Sequence, residues 1–149
     1  MTKPGSIFAL AFVVTACPAK PTPVTPAGVA AVDATWKVIG HVLLPTATID
    51  ERDAVAFNGR EITVTRTTYA SPFQGTCEQA GRVRRNRELE DVIVELDAPR
   101  SIATDYAMAS PVVEYRLTCR ERERPPLEMY VTAERAMTCF SGVCYFLRR

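Results

Sequence analysis

The chain has 149 residues and a mass of 16.4 kDa, which is room for one domain. Hydrophobic residues make up 47% and charged residues 23%, a balance that excludes a wholly disordered chain, a collagen-like repeat and a multi-span membrane protein. Lys plus Arg total 18 against 17 Asp plus Glu, and a net charge of +1 predicts no nucleic-acid partner.

Lys3 supplies a positive start, and Ser6 to Ala16 (SIFALAFVVTA) is an apolar run. A membrane-spanning helix needs about 20 apolar residues. This run is too short for that and has the proportions of the hydrophobic part of a secretory signal peptide. It ends in Val14-Thr15-Ala16-Cys17, which resembles the lipobox of bacterial lipoproteins. The resemblance implies a diacylglyceryl group on the Cys17 thiol, cleavage of residues 1–16, and acylation of the new amino terminus. Two or more acyl chains give stable attachment where one gives only marginal binding. Pro18, rather than Asp, follows the cysteine. By the same resemblance the expected location is the cell envelope, with the outer membrane favoured over the inner.

Residues 17–32 read as a Pro/Thr-rich linker. Pro18, Pro21, Pro23 and Pro26 favour extended polyproline II, a semi-rigid spacer. At ~3.1 Å per residue the stretch from Pro18 to Gly28 spans roughly 30 Å.

Residues 33–149 carry the fold, and their dominant signal is short alternating runs between turn residues. Trp36 to Leu44 makes a first strand stopped by Pro45. Ala54 to Phe57 and Glu61 to Tyr69 flank Asn58-Gly59, a strong hairpin signal because both turn positions favour positive φ. Asp91 to Leu96 (DVIVEL) reads as a strand with Val92, Val94 and Leu96 on one face. Ser101 to Met108 is the one expected helix, a turn or two with Ser101 as its cap. Val112 to Arg120, Leu127 to Thr132, Ala136 to Phe140 and Val143 to Arg148 complete the strands. The expected class is all-β, either a small antiparallel barrel or a sandwich of seven to eight strands.

Ala34-Thr35-Trp36 opening the first strand and Leu147-Arg148-Arg149 closing the last resemble the calycin pattern of lipocalin-like barrels. Ala34 stands where that pattern has glycine. The resemblance implies a barrel closed where Trp36 meets Arg148 or Arg149.

Cys77, Cys119, Cys139 and Cys144 are an even set in an exported chain and read as two disulfides. If Ser141-Gly142 is a two-residue turn, Cys139 faces Cys144 as a non-hydrogen-bonded pair with Cα atoms about 4.5 Å apart, close enough to bridge. Cys77 then joins Cys119. A metal site needs tighter cysteine spacing and histidine partners, and the chain has a single histidine. Neither a metal nor a cofactor is expected.

That histidine, His41, reads as an exposed strand residue opposite Trp36, Val38 and Val42, with no nucleophile motif around it. No catalytic residue is assigned. Arg82, Arg84, Arg85 and Arg87 form a dense basic cluster, read as a loop balanced by Glu88, Glu90 and Asp91, and as a possible contact for anionic groups. Arg120 to Pro126 alternates in sign and reads as a hairpin connection. The expected function is a non-enzymatic envelope lipoprotein that binds a small apolar ligand inside a barrel or an envelope protein. The alternative is an inhibitor of a hydrolase such as a lysozyme or protease, presenting Ser71–Asn86 or Ser101–Pro111 as a reactive loop. An enzyme comes third.

Overall fold

The computed structural model describes residues 31–149. The expected signal peptide, Cys17 and the linker as far as residue 30 lie outside the described residues. Val32, read from the sequence as the end of the linker, is 1% exposed and packs in the core.

Nine antiparallel strands form one sheet that curls into a nearly closed barrel. β1 (Ala34–Leu43), β2 (Glu61–Val64), β3 (Tyr69–Ser71) and β4 (Gly75–Cys77) make one meander. A second meander comprises β5 (Ala80–Arg87), β6 (Val112–Cys119), β7 (Leu127–Val131), β8 (Arg135–Phe140) and β9 (Val143–Arg148). β1 pairs with β9 and joins the two, so the order β4-β3-β2-β1-β9-β8-β7-β6-β5 leaves β4 and β5 as edges. Their seam is tied without a ladder. Cys77 is bonded to Cys119, Ala80 N–H donates to Thr67 O at 2.7 Å, and Arg124 donates to the carbonyls of Gln74 and Thr76. Arg82 reaches Asp33 at 2.6 Å and Thr65 O at 2.5 Å.

Alternation along the strands separates two packed layers. Trp36, Ile62, Leu117, Met129, Tyr145 and Leu147 are among the residues that fill the barrel. On the outer face, Met137, Cys144, Phe146, Val112 and Tyr130 pack under α2 (Leu89–Glu95) and α3 (Ile102–Asp105).

Two expected strands are helices. α1 (Glu51–Val55) replaces the run from Ala54, because Asp50 caps it by accepting from Asp53 N–H at 2.9 Å. Asn58-Gly59 closes that helix instead of a hairpin; Gly59, at φ +81°, donates to Val38 O at 2.9 Å. α2 replaces DVIVEL. Its buried Leu89, Val92 and Ile93 have helical spacing, whereas Val94, placed inward by strand alternation, is 64% exposed. α3 lies in the expected segment, but Ser101 makes no side-chain cap bond.

The basic cluster, expected as a loop, is strand β5, paired with β6 from Ala80↔Cys119 to Arg87↔Val112. This strand, with the short β3 and β4, raises the count from the expected seven to eight to nine. The Ser71–Asn86 segment is accordingly mostly strand and presents no long loop.

His41 is also corrected. The β1–β9 register slips between Val38 and Gly40, so Ile39 is bulged out and the alternation reverses beyond it. His41 therefore opposes Tyr145 on the barrel side, and its side chain is 7% exposed. Gly40 faces outward beneath Tyr106, whose ring lies 2.7 Å from where a Cβ would stand. Tyr106 stacks on Phe146 at 3.7 Å and donates to His41 O at 3.2 Å.

Candidate functional site

Among the described residues the barrel interior is packed with side chains. Trp36, Ile62, Leu117, Met129, Tyr145 and Leu147 are each fully buried, and side chains from opposite strands meet across the axis. At the end near the Ser141-Gly142 turn, Phe57, Phe73 and Phe140 close over Tyr145, with centroids 4.6–5.5 Å apart along the chain of contacts. His41 sits beside this plug, its Nδ1 3.1 Å from Asn58 Oδ1 and its Nε2 2.9 Å from Glu51 Oε1. Glu51 and Asn58 both come from the α1 segment, so the histidine fastens that segment to β1. The buried Tyr145 hydroxyl has no hydrogen-bond partner among the described residues, and burial raises its pKa. Among the described residues His41 bonds Asn58 and Glu51, and the cluster acts as a clasp between β1 and the α1 segment.

The opposite end is where β1 begins and β9 ends. The guanidinium of Arg149 lies 4.7 Å from the Trp36 ring centroid and donates to Ala31 O. Trp36 Nε1–H donates to Val32 O at 2.9 Å. Of the two terminal arginines offered by the sequence, Arg149 covers the indole; Arg148, one residue earlier, faces the outside.

The four arginines of β5 divide by strand alternation. Arg82 and Arg84 lie across from Leu117 and Tyr115 on the inner side, and Arg85 and Arg87 lie on the outer side with Glu114. Glu114 is 5% exposed and accepts from Arg85 Nε at 2.7 Å and Arg87 Nη1 at 2.9 Å. Burial alone would raise its pKa, but the bonds and charges of the two arginines outweigh this and hold it below the ordinary glutamate value. Arg87 also binds Glu95 of α2 at 2.6 Å. The partners are thus Glu114 and Glu95, not the neighbouring Glu88 and Asp91; Glu90 pairs with Arg100 at 3.0 Å. Three of the four candidate anion contacts, Arg82, Arg85 and Arg87, are already spent on structure. Beside Glu114, burial and nearby carboxylates push Tyr130 up to about 12.

Of the four, Arg84 alone has no carboxylate partner among the described residues, and it points to a feature the sequence did not reveal. Together with Arg135, Arg148 and Arg149 it lines an open cleft of about 810 Å³ at the Trp36 end of the barrel. Ala109, Pro111 and Val113 give the cleft an apolar wall. Among the described residues none of these four arginines is in an ion pair. Glu134 also lines the cleft and is likewise unpaired. The signal available in the sequence was the pair of terminal arginines; Arg135 joins them only through the β8–β9 register.

Cys139 is bonded to Cys144 across the β8–β9 hairpin, with Cα atoms 4.0 Å apart. Ser141 and Gly142 take φ of 53° and 75°, as a two-residue turn demands. Cys77, Cys119 and Glu121 bring three ligand atoms within 4.8 Å of one another, but the two sulfurs are joined to each other and offer no thiolate. No family model, curated protein or solved structure matches the chain.

Proposed function

We propose that the protein is a non-enzymatic binding module of the cell envelope, held to its membrane by lipid on Cys17, that binds with its outer surface rather than its barrel interior. One observation carries the choice of surface: the interior is filled by Trp36, Leu117, Met129 and Tyr145, while a large cleft lies outside, lined by four arginines that are in no ion pair among the described residues. This favours the outer surface over a small apolar ligand held inside the barrel. The lipid anchor rests on the Val14-Thr15-Ala16-Cys17 resemblance, and a calycin-like ancestry is supported by the stacking of Arg149 on Trp36. Growing the source cells with a fatty-acid analogue tests the anchor. The wild-type chain should take up label and the Cys17→Ser chain should not; label on the variant would refute the reading.

The second reading is inhibition of an exported hydrolase, favoured by the same filled interior. Of the two segments expected to act as reactive loops, only residues 106–111, between α3 and β6, remain irregular, and several of them border the basic cleft. Blocking of the cleft by a purified lysozyme or protease, with loss of that enzyme's activity, would favour this reading over the first.

A further inference from the structure

The register of the sheet sets cations directly against cations. Arg148 of β9 lies opposite Arg135 of β8 on one side and Lys37 of β1 on the other. Like charges at directly opposed positions weaken a sheet. The row is only partly offset: Glu61 faces Lys37 from β2, and Glu134 stands next to Arg135, yet neither comes within ion-pair distance of a cation among the described residues. Arg84 and Arg149 approach the same cleft from β5 and the chain end. A fold that leaves this repulsion only partly compensated is suited to an anion from outside, and several guanidinium groups around one cleft match the oxygens of phosphate groups.

The position of the cleft identifies which phosphates. Arg149, on the cleft wall, also holds Ala31 O, so the chain enters the domain beside the cleft. Cys17 is 14 residues ahead of Ala31. At most ~3.6 Å per residue, that segment keeps this end of the barrel within roughly 50 Å of an anchored thiol. We infer that the cleft lined by Arg84, Arg135, Arg148 and Arg149 docks on phosphate-bearing headgroups of anionic lipids in the membrane to which the chain is tethered. The inference rests on the envelope reading above. The tether raises the local concentration of headgroups, so weak individual contacts suffice, and docking turns the plugged end with α1 outward.

The test uses the full chain reconstituted in vesicles of phosphatidylcholine alone or with about 30% phosphatidylglycerol. Trp36 is the only tryptophan and lies under Arg149, so its emission reports occupation of the cleft. Emission should change as anionic lipid is added and revert at about 0.5 M salt, where charges are screened within a few ångströms. Arg135→Gln with Arg148→Gln should need about 25-fold more anionic lipid, roughly fivefold for each arginine near a charged surface. Its melting by circular dichroism should match or exceed wild type, since a repulsive pair is removed. Equal emission in both kinds of vesicle, or an unaltered response of the double variant, overturns the inference. A response to soluble pyrophosphate with none to anionic vesicles overturns it as well. Fatty-acid labelling separates the two readings. An unlabelled Cys17 with a surviving response to anionic vesicles ends the anchor alone; a labelled Cys17 without the response ends the docking alone.

Discussion

Replacing Trp36 with alanine removes a side chain that is fully buried in the barrel. Large-to-small changes of this kind at aromatic core positions cost about 3–5 kcal/mol. The indole also donates to Val32 O at 2.9 Å, and Val32 is 1% exposed, so its carbonyl is left without a donor; this adds about 1 kcal/mol. Arg149, itself exposed at 4.7 Å from the ring, contributes about 0.5–1 kcal/mol more. The sum, roughly 4.5–7 kcal/mol, is a large fraction of the 5–15 kcal/mol typical of a domain. Trp36→Phe keeps most of the burial and loses the N–H, so about 1–2 kcal/mol is expected. Because the chain has a single tryptophan, unfolding in urea has to be followed by circular dichroism. A cycle with Arg149→Ala should return a coupling of about 0.5–1 kcal/mol with the intact indole. A Trp36→Ala protein within about 1 kcal/mol of wild type would refute the account of this end of the barrel.

Glu114→Gln should destabilise by about 2–3 kcal/mol, because Arg85 and Arg87 converge on a carboxylate that is 5% exposed. The folded pKa of Glu114 is depressed, so its contribution is present above the unfolded value near 4.3 and is lost as pH falls through the folded one. Urea midpoints measured down the acid limb should therefore fall less steeply in the variant. Tyr130 has the opposite sign: with its pKa pushed up to about 12, the fold keeps the phenol neutral. That stability is present below about pH 10 and lost as pH rises toward 12, at about 1.4 kcal/mol per pH unit, so Tyr130→Phe should flatten the alkaline limb of the same measurement. Removing the Cys77–Cys119 bridge, 42 residues apart, should cost about 4 kcal/mol, against about 2 for Cys139–Cys144, which are 5 apart. Paired alanine variants in urea give the order, and a larger loss for the hairpin bridge would contradict it.

The strands that build the barrel wall from β6 to β9 were legible because one side of each faces a dry interior, so Val113, Tyr115, Leu117 and Cys119 alternate with their neighbours. Where a strand is short or polar, or an element lies on the outside of the wall, that signal fails. Leu89, Val92 and Ile93 cover only one stripe against the sheet, and a seven-residue helix gives too few turns to outweigh the β-branched run in DVIVEL. β5 has arginines on both faces, and only its long-range pairing with β6 makes it a strand. The disulfide partners followed from a local turn. The phase of His41 depended on a bulge whose local mark, Gly40 within the strand run, simple alternation passes over, and the cleft depended on which residues meet across β8 and β9. Alternation carries local information; the site is made of registers.

The free edge of β5 has a consequence for self-association. From Val83 to Arg87 the strand has β6 on one side and, among the described residues, no strand on the other. Such an edge invites a second copy to add its own β5 and extend the two barrels into one sheet. Here the edge carries Arg84, Arg85 and Arg87 within four residues, and an identical strand laid against it would bring the same charges into contact. The basic run thereby disfavours edge-to-edge pairing of an incompletely closed barrel, with Arg84, which has no carboxylate partner among the described residues, as its uncompensated charge.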